Sequence, residues 1–114
     1  MINDEIREIT KRFIHTLNPT KIILFGSYAK DTYTNDSDYD FYIILPDDTQ
    51  YNLIDATGKA YHSLHDMHNR KSVDILVNTI SKFNHRKKHP TLERVINREG
   101  VVLHGWKWIY RWMV

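Results

Sequence analysis

Asp38 and Asp40, one residue apart, and Asp74, set inside an apolar run, are the residues of this 114-residue chain whose type and spacing invite chemistry. On a strand, positions two apart share a face, so Asp38 and Asp40 stand side by side with Tyr39 and Phe41 turned away. Adjacent carboxylates repel unless a cation lies between them. Mg²⁺ suits such a pair, because it binds through one or two carboxylates together with water and substrate phosphate. Asp74 lies between Val73 and Ile75, where an unpaired acid is costly. If its strand runs beside the one carrying Asp40, three carboxylates gather that could hold two metal ions. Upstream, Gly26-Ser27 stops the run Leu24-Phe25. A glycine that lets the backbone approach closely, a serine hydroxyl and the amides of a starting helix together make a phosphate cradle. Taken singly, an Asp-x-Asp pair is also a turn and Gly-Ser also an ordinary bend; their occurrence in order, on neighbouring elements, gives them weight.

The elements that must position these residues follow from periodicity. Ile2, Ile6, Ile9, Phe13 and Leu17 recur at steps of three and four and predict a first helix, ended by Asn18-Pro19. Lys21 to Phe25 is a short buried strand, followed by a brief helical turn over Ser27 to Lys30. Asp38 to Leu45 is the second strand, closed by Pro46-Asp47-Asp48. Leu53, Thr57, Ala60, Tyr61 and Leu64 form one stripe and predict a helix within 50–69. Ser72 to Val77 is the third strand, Thr91 to Arg98 a further helix with Gly100 just past its end, and Val101 to His104 an edge strand. This order implies an α+β fold: one mixed sheet of about four strands with helices packed on it. The whole of 1–114 reads as a single domain with an aromatic tail over 105–114.

Composition narrows the class. Hydrophobic residues at 41% and charged residues at 26% fit an ordinary globular domain rather than disorder. No apolar run approaches the length of a membrane span, and Asp4, Glu5 and Glu8 near the start are unlike a signal peptide. The absence of cysteine excludes disulfides, thiolate metal sites and a cysteine nucleophile, and suits the cytoplasm. The net charge of +2 conceals segregation. Residues 31–58 hold seven acids (Asp31, Asp36, Asp38, Asp40, Asp47, Asp48, Asp55) and no Lys or Arg, whereas 82–98 hold six basic residues against Glu93. The acids must find cations in a bound metal or in the basic segment, unless both segments are simply solvated.

The string Gly26-Ser27, ten residues, then Asp38-Tyr39-Asp40, with the later strand-borne Asp74, resembles the nucleotidyltransferase superfamily that includes DNA polymerase beta. More narrowly it is similar to the minimal nucleotidyltransferase antitoxins encoded beside HEPN-domain toxin ribonucleases, over nearly the whole chain. The resemblance implies a polymerase-beta palm-like fold and a Mg²⁺-dependent protein adenylyltransferase. Gly26 and Ser27 would bind the triphosphate of ATP. Asp38 and Asp40 would hold two Mg²⁺ ions, and Asp74 would bind one of them while helping to deprotonate the attacking hydroxyl. Ser37 would orient the strand entry or touch a phosphate. One departure stands out: many relatives continue with Ala-Arg-Gly, where this chain has Ala29-Lys30-Asp31.

The chain shows no acceptor-binding domain of the kind polymerases and tRNA-tailing enzymes carry, so the acceptor is expected to be a protein. The resemblance then implies AMP transfer to a tyrosine of a HEPN toxin, in a hetero-oligomer. A noncatalytic antitoxin that neutralises by binding is the alternative from another class, and transfer to a small molecule or RNA end is a third. Trp106, Trp108 and Trp112, with Ile109, Tyr110, Met113 and Val114, could anchor the partner or cover the sheet. His62, His65 and His68, three apart on a helix, would fan around its axis, and no zinc site is expected of them. The run His85-Arg86-Lys87-Lys88-His89 offers phosphate contacts, but a solvated loop or an acidic partner explains it as well, and nucleic acid is not expected as a partner on its own.

Overall fold

A computed structural model describes residues 2–105. The first helix, α1 (Asp4–Leu17), starts where the Asn3 side chain accepts a hydrogen bond from the Ile6 amide at 2.8 Å. It ends at Asn18, whose φ of 48° lets the chain turn before Pro19. The remaining elements are β1 (Lys21–Phe25), α2 (Gly26–Lys30), β2 (Tyr39–Leu45), α3 (Leu53–His62), β3 (Val73–Thr79), α4 (Ile80–Arg86), α5 (Leu92–Glu99) and β4 (Val101–His104). The four strands form one mixed sheet in the order β3-β2-β1-β4. Strand β1 pairs antiparallel with β2 and β4, whereas β2 and β3, joined through α3, run parallel.

Alternation along the strands divides the apolar side chains between two faces. On the first, Ile22, Leu24, Phe41, Ile43, Leu45 and Ile75 pack with Ile6, Ile9 and Phe13 of α1 and with Ala56 and Ala60 of α3. Phe13 meets Phe41 edge-to-face at 5.3 Å between ring centres. On the second face, Ile23, Tyr42 and Ile44 meet Phe83 of α4 and Ile96 of α5. This cover spans only part of the face, and the carboxylates lie beyond it.

Three expectations change. Helix α3 is shorter than the 50–69 stripe suggests: Asn52 caps its start, and beyond His62 the chain turns, with Arg12 of α1 donating to the Ser63 carbonyl at 2.9 Å. His62, His65 and His68 therefore do not share a helix; the first two rings stack at 4.6 Å. A helix, α4, occupies part of the basic stretch, where only Ile80 and Phe83 mark an apolar face. Arg94 of α5 donates to the carbonyls of Lys87 and Lys88, so His85 to His89 form a helix end and turn tied to the next helix. Gly100 lies just past the end of α5, as expected, with an extended backbone (φ −71°). Space requires it, because a Cβ there would collide with Ile23 and the Ile96 carbonyl.

The tryptophan-rich tail, residues 106–114, lies outside the described residues. No helix among the described residues is long and apolar enough to cross a membrane.

Candidate active site

The parallel register of β2 and β3 sets Asp40 directly against Asp74. Both stand on the second face, at the end where the two strands begin. Asp40 is half-buried and Asp74 exposed. Asp38 precedes β2 by one residue and is exposed at the mouth of the sheet. Burial raises the Asp40 carboxyl to about 6, helped by the charges of Asp74 and Asp38 and by a hydrogen bond shared with Asp74. The three acids thus act on one another, with Asp40 at the centre.

The bend after β1 closes against this centre. Phe25 is the register partner of Asp40, and Gly26 follows with φ of 73°. A Cβ at position 26 would run into Oδ2 of Asp40, so both the backbone angle and the space demand glycine. Ser27 is the second residue of α2, and among the described residues its hydroxyl has no hydrogen-bond partner. Helix α2 ends at Asp31, which holds a left-handed φ of 61°. Aspartate is among the few residues other than glycine that tolerate the conformation. Lys30 lies 3.7 Å from Glu99 of α5.

The structure brings Gly26, Ser27, Asp40 and Asp74 together, with Asp38 beside them. Ser37 accepts through its hydroxyl from the Thr34 amide at 2.8 Å and holds the turn that leads into β2. Its carbonyl, with that of Asn35, accepts from Lys71 just ahead of β3. Lys71 escaped the sequence reading. It pins the loop that delivers Asp38, and its place ahead of the Asp74 strand was the available signal.

The seven acids of 31–58 do not pair with the basic segment; no such ion pair exists among the described residues. Arg86 instead pairs with Glu93 at 2.9 Å and Arg98 with its neighbour Glu99 at 3.7 Å. Among the described residues no group of three or more acidic, histidine or cysteine side chains is placed to hold a metal ion, so Asp38, Asp40 and Asp74 do not by themselves form a three-ligand site. The donor set nevertheless fits Mg²⁺. Asp40 and Asp74 face each other as hard oxygen donors, the first raised by burial and then by its acidic neighbours, and such a pair suits a cation completed by water and phosphate.

The nucleotidyltransferase domain model matches residues 4–102. The solved structure of a "putative nucleotidyltransferase" from Sulfolobus solfataricus is similar at 18% identity, with a TM-score of 0.59 over 87% of this chain and 76% of that one. A toxin-antitoxin structure with AMP-PNP is similar at 19% identity, with a TM-score of 0.52 over 90% of this chain and 75% of that one. No curated protein matches the chain.

Proposed function

Because the chain belongs to the nucleotidyltransferase domain family, we propose that it moves AMP from ATP to a tyrosine hydroxyl of a HEPN-type toxin ribonuclease and so silences it. The observation that carries this reading is the meeting of Asp40 and Asp74 across paired strands, beside a glycine whose missing side chain makes room for Asp40. The similarity to a toxin-antitoxin structure with AMP-PNP supports a protein partner and an adenine nucleotide.

In this mechanism the Gly26-Ser27 backbone and the Ser27 hydroxyl hold the triphosphate. Asp74, exposed on the sheet's edge strand, faces the incoming acceptor and takes the proton of its hydroxyl. The acceptor oxygen bonds to the α-phosphorus as the bond from that phosphorus to the α,β-bridging oxygen breaks, and pyrophosphate leaves. Two Mg²⁺ ions held by Asp38, Asp40 and Asp74 would offset charge on the entering and leaving oxygens. Lys71 and the Ser37 turn keep Asp38 at the strand entry.

The test is mass spectrometry of the partner after incubation with this chain, ATP and Mg²⁺. An increase equal to one or more adenylyl groups is expected, absent with Asp40→Asn; an unmodified partner contradicts the proposal. One observation favours a second reading, a noncatalytic antitoxin: Lys30 stands where relatives carry an arginine, and it is engaged by Glu99. Asp38→Asn with Asp40→Asn separates the two. A transferase loses neutralisation of the toxin, whereas an occluding binder keeps it.

A further inference from the structure

Beside Gly26 the second face contains a cavity of about 230 Å³. Phe25 and Ala29 wall it from β1 and α2, and Leu92, Val95 and Ile96 from α5. Leu92 and Val95 are 46% and 37% exposed, an apolar pair left uncovered on a helix whose other outward positions are Arg94, Asn97 and Arg98. The rim is polar at one place, where Lys30 and Glu99 face each other. Gly26 belongs both to this cavity and to the contact with Asp40. Gly26 is thus common to the cavity wall and to the bend where the phosphates are proposed to lie.

The walls fix the chemistry of the occupant. The volume lies below that of pockets enclosing a whole drug-sized ligand and fits one ring system. Apolar surfaces suit a flat ring, and the Lys30-Glu99 pair offers one donor and one acceptor to a heteroaromatic edge. We propose that the cavity between α2 and α5 takes the base of the nucleotide whose phosphates lie at Gly26-Ser27. This inference rests on the nucleotidyl-transfer reading above. An apolar side chain of the acceptor is the rival occupant; the polar rim and the shared glycine favour the base.

The test compares two probes, ATP and inorganic tripolyphosphate, titrated calorimetrically into the full chain with Mg²⁺. Val95→Phe fills the cavity from an exposed position on α5, and Leu92→Ala removes part of its wall. The inference expects Val95→Phe to weaken ATP by at least about tenfold and Leu92→Ala by about threefold, while tripolyphosphate stays within about twofold of wild type. Unchanged ATP affinity in both variants overturns it. So does an equal loss for both probes, which points to a disturbed phosphate cradle. Intact ATP affinity with lost transfer to the partner protein assigns the cavity to the acceptor instead. A wild-type chain that binds neither probe overturns the transfer reading and this inference with it.

Discussion

The two faces of the sheet solve different problems with the same strands. On the first face α1 and α3 cover Leu24, Phe41, Ile43 and Ile75 almost completely; the contacts around these four are apolar, while nearer the strand entry the Tyr39 hydroxyl donates to Glu5 of α1 at 2.7 Å. On the second face α4 and α5 cover only Ile23, Tyr42 and Ile44, and polar groups enter the packing: the Tyr42 hydroxyl donates to Glu93 at 2.9 Å, and Arg86 pairs with the same carboxylate. Where that cover stops, the strands that elsewhere carry Tyr42 and Ile44 carry Asp40 and Asp74. The first face is the more fully covered, and the second keeps an edge where Asp40 and Asp74 remain at least partly exposed. Mutations at matched places on the two faces should therefore fail in different ways.

The largest effect is expected on the sealed face. Phe41→Ala, which also removes the edge-to-face contact with Phe13, should destabilise by about 3–5 kcal/mol in urea unfolding. Phe83→Ala on the partly covered face should fall at the low end of the same range, about 3 kcal/mol, since a thinner cover can relax into the space left. Equal costs would erase the distinction between the faces.

At the open edge the order reverses. Asp40→Asn should lower nucleotidyl transfer by at least about a hundredfold without lowering the melting temperature. The sign follows from Asp40 titrating at about 6 when folded, above the 3.8 of a free carboxyl. Its protonated form favours the fold below pH 4, and that advantage is lost as pH rises through 6. At pH 7 without metal the charged carboxylate is thus a burden, and its removal should stabilise by on the order of 1 kcal/mol once solvent screening is allowed for. A melting temperature well below wild type at pH 7 would make Asp40 a structural residue.

Glu93 tests the polar packing of the second face with the opposite sign. Burial pushes its carboxyl up, but hydrogen bonds from Tyr42 and Arg86 prevail and hold it below the usual range. Its contribution is present above pH 4.5 and disappears as pH falls through the depressed value. Glu93→Gln should cost about 1–3 kcal/mol at pH 7, with the difference from wild type vanishing in acid. A gap that persists at low pH would show that shape, not charge, matters there. The smallest effect belongs to Asp31→Gly, which relieves the left-handed φ at the end of α2 and should change stability by no more than about 1 kcal/mol. A larger loss would reveal an unsuspected role for the Asp31 side chain.

Much of this contrast was legible in the chain. The stripe of α1, the alternation of β2 and the spacing from Gly26-Ser27 to Asp38 and Asp40 are local patterns, and each lies where periodicity puts it. Asp74 could be assigned to a strand but not to a partner, since parallel pairing through a crossover helix depends on contacts far apart in sequence. Helix α4 was hidden because two apolar side chains among basic ones carry no period. Glu93 read as the lone acid of a basic segment, and only tertiary packing shows it beneath the Tyr42 hydroxyl. Gly26 was recognised as a bend, but its close approach to Asp40 exists only once β1 and β2 are paired.

The central claim is that Asp40 and Asp74, meeting at the uncovered edge beside Gly26-Ser27, hold a cation and the nucleotide together. Calorimetric titration of ATP with Mg²⁺ into the wild-type chain and into the variant carrying Asp40→Asn and Asp74→Asn tests it most directly. Binding is expected to require Mg²⁺ in the wild type and to be lost in the folded double variant. Equal binding by both chains, or binding indifferent to Mg²⁺, would contradict the account.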